Sequence, residues 1–236
     1  MSGLEPVEYR DGATVLTGWL ARPEGRPRAA IVVFPTIANV TAPVERRAVL
    51  LAGQGYLALV ADFYGPAADS PETARELAPA LRADPHAYRQ RLAAAVRAMR
   101  EHPAATGLPM GAIGYCMGGG AVLELARAGA DLAVVVSFHG LLDTKLPASP
   151  GGVKARILVC HGVDDPMAPR ADVIAFWDEM DRAGANWHLH CYSGVKHGFT
   201  DPASDMRGIP ALGYDSSADR QSWAAATSLM DEVFGR

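Results

Sequence analysis

The sequence MGAIGYCMGG at residues 110–119 runs from a short apolar strand into the small-residue start of a helix. Its residues 114–118 match the pattern Gly-x-nucleophile-x-Gly, with Cys116 at the position of the nucleophile. Glycines on both sides allow a sharp strand-to-helix turn, and the positive end of the helix dipole favours an anion such as a thiolate. Glycine-rich turns also cradle phosphates or let a helix pack closely against a sheet, so this motif alone leaves both alternatives open.

Two carboxylates, Asp164 and Asp165, follow the apolar run at residues 157–160 and the glycine at position 162. The carboxyl end of a strand is where α/β enzymes place their chemistry. The pattern His-Gly-x-x-Asp, which is common in α/β hydrolases, selects Asp165 as the acid and makes Asp164 a solvated turn residue. An acid that follows the cysteine also agrees with the chain order nucleophile, acid, histidine.

His197 completes this order, in a loop that follows the strand-like run at residues 187–192. A loop after the last strand is where such a base is expected. By default we interpret four of the other histidines as surface residues or as residues with structural hydrogen bonds. They are His86, His102, His188 and His190. The remaining two, His139 and His161, end strands and could line a pocket. Only His197 has both the chain order and the loop position.

The length of 236 residues and the hydrophobic fraction of 49% suit one large α/β domain over residues 1–236. The formal net charge of −4, without any run of basic residues, argues against a nucleic-acid surface and leaves a small molecule as the expected partner. No N-terminal apolar stretch follows a basic start, and no apolar run approaches the roughly 18 residues of a membrane span. We therefore expect a cytoplasmic protein without membrane contact, either a monomer or a homodimer.

The chain has three cysteines, an odd number without metal-ligand spacing, which fits a reducing compartment better than a disulfide framework. Cys160 and Cys191 lie inside apolar strand-like runs, so we interpret both as buried structural thiols. Cys116 differs from them through its glycine-rich context. The histidines and carboxylates also lack a ligand spacing such as His-x-x-x-His, so neither a metal ion nor an organic cofactor is expected.

Apolar periodicity predicts eight strands that alternate with helices. The strands are expected at residues 6–10, 14–21, 29–34, 57–61, 110–113, 132–138, 156–160 and 187–192. The helices are expected at residues 44–54, 88–101, 118–128, 170–183 and 217–234. The first two strands flank Asp11-Gly12, a dipeptide that favours a tight hairpin turn. Such alternation implies an α/β fold with a mostly parallel eight-stranded sheet and helices on both faces.

The segment at residues 65–85 is interrupted by prolines and contains a short helical pattern at residues 72–81. It follows a strand end, so it could form a small cap over a pocket, and an ordinary surface connection is the alternative. Three aromatic residues near strand ends, Phe63, Tyr64 and Phe199, could form apolar pocket walls, although aromatic residues at strand ends are often part of the core.

Taken together, these motifs resemble the dienelactone hydrolase family of the α/β-hydrolase fold. The resemblance covers nearly the whole chain and is carried by residues 114–119, 161–166 and 197–199, with support from residues 34–35, 62–64 and 138–140. It implies a catalytic triad of Cys116, His197 and Asp165 that hydrolyses a small ester or lactone. In that mechanism His197 takes the proton of Cys116, the thiolate attacks the carbonyl carbon, and water then hydrolyses the acyl-thioester.

The same resemblance implies an oxyanion hole made by the backbone N–H groups of Met117 and Ile37. Met117 follows the nucleophile, and Ile37 lies in the loop after the third strand. We expect the side chains of Thr36, Tyr64 and Phe199 to contact the substrate.

The chain also departs from the family pattern at three positions. The family's glutamate that interacts with the cysteine aligns with Thr36, so the histidine would have to activate the thiol directly. The family's two arginines that bind a substrate carboxylate align with Pro66 and Asp201. Because a proline and an acid cannot hold a carboxylate, we expect dienelactone itself to be a poor substrate and a neutral or differently charged ester or lactone to be preferred.

Several alternatives stay open at the level of the sequence. Arg207 or Lys196 could supply a cation for the substrate by another route. Among enzymes, a thioesterase or a small-peptide hydrolase is the alternative activity. Outside enzymes, the alternative is a ligand-binding or redox-responsive protein that keeps the same fold and uses Cys116 as a reactive thiol.

Overall fold

The structure is a computed structural model and describes residues 4–235. Within this range the strands are β1 (Glu5–Asp11), β2 (Thr14–Ala21), β3 (Ala29–Phe34), β4 (Tyr56–Val60), β5 (Met110–Tyr115), β6 (Val134–Phe138), β7 (Arg156–Gly162) and β8 (Trp187–Tyr192). The α-helices are α1 (Ala42–Gly53), α2 (Pro71–Ala83), α3 (Pro85–Glu101), α4 (Met117–Arg127), α5 (Arg170–Ala183) and α6 (Ser216–Phe234). Short 3₁₀ helices lie at Gly65–Ala67, Pro103–Ala105 and Pro202–Arg207.

The predicted strands and helices are all confirmed, and all their boundaries agree within three residues. The strands β5 and β7 extend two residues further than predicted, so β5 ends directly before Cys116 and β7 ends three residues before Asp165. Helix α3 begins three residues earlier than predicted, because the Asp84 carboxylate accepts the backbone N–H groups of His86 and Ala87 at 2.8 and 3.1 Å. This is a helix N-cap with proline at the first helical position.

The opening strands form the expected antiparallel hairpin. Their register runs from Glu5 paired with Leu20 to Asp11 paired with Thr14, so the loop consists of Gly12 and Ala13. The predicted turn at Asp11-Gly12 therefore lies one residue later in the structure. Gly12 has a φ of 57°, in the left-handed region that favours glycine, which explains why a glycine stands at this turn.

The eight strands form a sheet in the order β1-β2-β4-β3-β5-β6-β7-β8. Strands β2 and β4 pair antiparallel, whereas β3 pairs with β4, β6 with β7 and β7 with β8 in parallel. All residues of β3, β4, β5 and β6 are buried, which explains their continuous apolar sequences. The predicted α/β-hydrolase fold, a mostly parallel eight-stranded sheet with helices, is confirmed.

One expectation about the cysteines is wrong. Cys160 on β7 is buried as expected, and burial raises the pKa of its thiol to about 12. Cys191 on β8 is exposed. β8 is the last strand in the sheet order, and none of its six residues is fully buried. The central strands have continuous apolar sequences, whereas β8 carries His188 and His190, which are exposed like Cys191 at this edge of the sheet.

Residues 4–235 form two compact units, divided after Ala112. The prediction of a single domain over residues 1–236 stays a prediction. In the first unit, the Asp62 carboxylate follows β4 and accepts hydrogen bonds from the backbone N–H groups of Thr17, Tyr64 and Gly65 and from the Asn39 amide, at 2.9–3.0 Å. This network joins β2 to the loops after β3 and β4.

The predicted helical pattern at residues 72–81 corresponds to α2 in the first unit. The Ser70 hydroxyl caps this helix by accepting the backbone N–H of Thr73 at 3.1 Å. A capping role of residues 65–85 over a pocket stays a prediction.

In the second unit, a buried ionic cluster holds α4 against α5. The Arg127 guanidinium donates to the carboxylates of Glu124 and Glu179 and to the backbone oxygen of Leu142, at 2.7–3.2 Å. Glu179 also accepts the backbone N–H of Ala148 at 2.8 Å. The cluster therefore fixes both helices and the long connection after β6.

Candidate active site

Cys116 lies at the junction of β5, which ends at Tyr115, and α4, which begins at Met117. Its backbone has a φ of 55° and a ψ of −117°, a conformation that costs energy in a residue with a side chain. The side chain is half-buried. The strained turn therefore places the thiol at the carboxyl end of a buried strand and at the N-terminus of a helix.

The glycines around this cysteine are required by close backbone packing. A Cβ atom on Gly114 would lie 1.9 Å from the backbone oxygen of Gly118, and one on Gly119 would lie 2.7 Å from the Cα of Gly140. Neither backbone has room to move away without deforming the turn or the end of β6. Close packing against the neighbouring backbone therefore explains the glycines of the motif. It does not explain why a cysteine occupies the strained position 116.

Asp165 and His197 lie close together in the second unit. The distance from Asp165 Oδ2 to His197 Nδ1 is 2.7 Å, and each residue exposes 2% of its surface. The other carboxylate oxygen of Asp165 accepts the backbone N–H of Met167 at 2.8 Å, which fixes the carboxyl group in the turn after β7. Asp164 is exposed, as expected of a solvated turn residue.

The loop that carries His197 is held by backbone hydrogen bonds. The N–H of His197 donates to the oxygen of Ala211, and the N–H of Gly213 donates to the oxygen of His197, each at 3.1 Å. The Ser204 hydroxyl donates to the backbone oxygen of Gly198 at 2.8 Å. These hydrogen bonds therefore fix the backbone of the loop at His197 and Gly198.

Opposing effects act on the pKa of His197. Burial of the ring lowers the pKa, but the hydrogen bond with Asp165 and the neighbouring Cys116 outweigh burial and raise it from 6.5 to about 10. Nε2 is buried and has no hydrogen-bond partner among residues 4–235, although Cys116 lies near enough to act on the pKa of the ring. Catalytic hydrogen bonds are often loose without substrate. These effects together favour the protonated form of the His197 ring.

Two further histidines of the second unit, His139 and His161, are buried at the ends of β6 and β7. Burial lowers the pKa of His161, and the charge of His197 lowers it further while that of Asp165 raises it. His139 lies against the rings of His197 and Phe199, with ring centres 5.1 and 5.2 Å apart. The sequence indicated only that these two residues could line a pocket.

The predicted substrate contacts divide between the two units. Phe199 in the second unit is fully buried. In the first unit, the Tyr64 hydroxyl donates to the backbone oxygen of Ile37 at 3.1 Å, and the Thr36 hydroxyl accepts the N–H of Ala38 at 3.3 Å. These bonds order the loop after β3, while the roles of Thr36, Ile37, Tyr64 and Phe199 in binding or catalysis stay predictions.

Of the two cations considered for the substrate, Arg207 is already engaged. Its guanidinium forms an ion pair with Asp201. Asp201 is one of the two positions at which the family that the chain resembles has a substrate-binding arginine. Lys196 is exposed.

Within the described part of the chain, no group of three His, Cys, Asp or Glu side chains is placed to hold a metal ion. Among residues 4–235, none of the helices is long and apolar enough to cross a membrane.

Comparisons with known proteins agree with the fold. Residues 16–234 match the model of the dienelactone hydrolase family. Among solved structures, a protein named m3DLH is 36% identical, with 98% of each chain covered and a TM-score of 0.91. A dienelactone hydrolase-like promiscuous phosphotriesterase, P91 from metagenomic libraries, is also 36% identical over 98% of each chain, with a TM-score of 0.88. A probable 2-oxo-3-(5-oxofuran-2-ylidene)propanoate lactonase from Bradyrhizobium sp is 29% identical and covers 79% of this chain and 80% of its own.

Proposed function

Because the chain belongs to the dienelactone hydrolase family, we propose that it hydrolyses small carboxylic esters or lactones with Cys116 as the nucleophile, His197 as the base and Asp165 as the orienting acid. The observation that carries the proposal is the 2.7 Å hydrogen bond between Asp165 and His197, in the same unit as the strained cysteine turn. This arrangement supports a thiol that loses its proton to the imidazole.

In the proposed reaction, the Cys116 thiol transfers its proton to Nε2 of His197, and the thiolate attacks the carbonyl carbon. The tetrahedral intermediate collapses to an acyl-thioester, and His197 gives its proton to the departing alcohol oxygen. His197 next accepts a proton from water, whose oxygen attacks the thioester, and the acid and the free thiol are released. Throughout, Asp165 holds Nδ1–H and favours the protonated ring, in line with the raised pKa of His197.

The developing oxyanion needs backbone donors, for which we propose Met117 and Ile37. Met117 is the first residue of α4, so its N–H lies at the positive end of the helix dipole. Ile37 lies in the loop ordered by Tyr64. A donor of this kind typically contributes about 3 kcal/mol to transition-state stabilisation.

We further propose that the preferred substrate carries no carboxylate near the reacting carbonyl. The ion pair of Asp201 with Arg207 and the proline at position 66 support this preference, because neither position presents a free cation. The proposal is tested by comparing an anionic dienelactone with a neutral aryl ester. Faster turnover of the neutral ester is expected, and comparable turnover of both would overturn the preference.

The nucleophile is tested with a short-chain p-nitrophenyl ester and the variants Cys116→Ala and Cys116→Ser, with intact-mass detection of the acyl adduct. We expect an adduct on the wild type and a loss of about 10³-fold or more in kcat for Cys116→Ala. Equal activity of the alanine variant would overturn the cysteine mechanism. Inactive wild type with an unmodified Cys116 would instead favour the ligand-binding or redox-thiol alternative.

A second candidate activity is phosphotriester hydrolysis. It is supported by the likeness to the promiscuous phosphotriesterase, which is 36% identical over 98% of both chains. The same thiolate would attack phosphorus and form an S–P bond, while the departing aryl alcohol takes a proton from His197. Water would then hydrolyse the S–P bond, with His197 accepting its proton, and release the dialkyl phosphate and the free thiol. An aryl dialkyl phosphate tests this activity, and release of the aryl alcohol that is lost in Cys116→Ala is the expected result.

The cellular location and the assembly state remain proposals as well. A cytoplasmic location is supported by three cysteines that are all free in the structure. For assembly, a monomer or a homodimer is proposed, which sedimentation of the purified protein distinguishes.

A further inference from the structure

His139 follows β6 and has an unusual backbone conformation. Its φ is 40°, in the left-handed region that a residue with a side chain rarely adopts, and only 2% of its surface is exposed. Strain at a buried position persists only where the surroundings enforce it. Glycine would relieve the strain at this position, so the side chain itself needs an explanation.

The imidazole of His139 contacts the backbone of the candidate nucleophile. Its Nδ1 accepts the N–H of Cys116 at 3.1 Å, and the same N–H lies 3.0 Å from the backbone oxygen of Phe138. Because a backbone N–H only donates, Nδ1 carries no proton. The neutral ring then has its proton on Nε2, which donates to the Thr200 hydroxyl at 2.9 Å.

The same ring also contacts the loop of the candidate base. Thr200 lies three residues after His197. The ring of His139 meets that of His197 nearly edge to face, with centres 5.1 Å apart and an angle of 69° between the planes. One side chain therefore connects the nucleophile turn to the histidine loop, two segments that are far apart in the chain.

We propose that His139 is a positioning residue that sets the alignment of the Cys116 thiol with Nε2 of His197, through the Cys116 N–H on one side and Thr200 on the other. This inference rests on the proposed function, because the alignment matters only if the thiol and the imidazole exchange a proton. The alternative is that the ring only fills space between Phe199 and His197.

Three variants separate positioning from packing. His139→Phe keeps an aromatic ring against Phe199 and His197 but loses both hydrogen bonds. His139→Asn keeps an acceptor near the place of Nδ1 and tolerates a positive φ, but loses the ring and the bond to Thr200. Thr200→Val removes the second bond and keeps the shape of the side chain.

Two readouts are measured for each variant. The first is kcat and KM with a neutral aryl ester. The second is the pH profile of alkylation at Cys116, followed by peptide mass in a Cys191→Ala background so that the exposed second thiol does not contribute. The alkylation profile reports on the thiol directly and does not require turnover.

For His139→Phe we expect kcat to fall by about 10–100-fold with KM changed by less than about threefold, and the alkylation profile of Cys116 to shift to higher pH. His139→Asn should recover part of the loss, and Thr200→Val should show a smaller loss of the same kind. A folded His139→Phe variant with wild-type kcat and alkylation profile would overturn the inference in favour of packing.

If His139→Phe does not fold, Thr200→Val decides the question, because an unchanged alkylation profile and kcat in that variant would overturn the inference. Failure of the proposed function is recognised separately. In that case Cys116→Ala remains active, whereas the alkylation profiles still show whether His139 acts on the thiol.

Discussion

Two buried aspartates, Asp62 and Asp165, follow buried parallel strands in the two units of the chain, and their carboxylates are used differently. They expose 7% and 2% of their surface. Asp62 accepts three hydrogen bonds from backbone N–H groups and one from the Asn39 amide. These four hydrogen bonds hold β2 and the loops after β3 and β4 together in the first unit.

The two carboxylate oxygens of Asp165 have different hydrogen-bond partners. One accepts the backbone N–H of Met167, and the other contacts Nδ1 of His197 at 2.7 Å. One oxygen of Asp165 thus binds a titratable side chain, whereas both oxygens of Asp62 accept backbone N–H groups. Both aspartates follow a strand, so their hydrogen-bond partners are what distinguishes them.

The largest effect that tests this comparison is expected for Asp165→Asn. The amide can still accept Nδ1–H but carries no charge, so the protonated His197 loses its counterion. We expect kcat on a neutral aryl ester to fall by about 10²–10⁴-fold. Asp164→Asn is the matched control, because that residue is exposed, and its kcat should stay within about twofold of the wild type. Equal losses in the two variants would contradict the role of Asp165.

Asp62→Asn should show the opposite balance, with stability affected more than activity. One of the four donors around Asp62 would then face an amide N–H instead of an oxygen. We expect the free energy of unfolding to fall by about 1–3 kcal/mol, measured by urea denaturation. A larger effect on kcat than that of Asp165→Asn would erase the distinction between the two aspartates.

The smallest expected effect concerns the titration of His197. NMR titration should show an imidazole pKa of about 10 in the wild type and a value lower by more than about one unit in Asp165→Asn. Since the folded pKa lies above the unfolded value of 6.5, the protonated ring contributes stability that is fully present below about pH 6.5 and is lost as the pH rises toward 10. Asp165→Asn should therefore lose most stability at the acid end of this range. An unchanged titration would argue against the charge of Asp165 as the cause.

The sequence predicted the elements of the fold closely because apolar periodicity is a local property. Strands β2, β3 and β8 and helix α5 have the predicted boundaries. The exposure of Cys191 depends on the place of β8 at the edge of the sheet, and the order of the strands is set by tertiary pairing rather than by a local pattern. Neither the network around Asp62 nor the contacts of His139 had a sequence signal, apart from their positions after strands.

By itself the sequence determined the strained turn at Cys116 and the order of the three candidate catalytic residues, because glycine sterics and strand periodicity act between near neighbours. Only the tertiary structure decided which partners meet. The contact of Asp165 with His197 spans 32 positions, that of His139 with Cys116 spans 23, and that of His139 with Thr200 spans 61. Such contacts depend on the packing of distant strands, which no local pattern encodes.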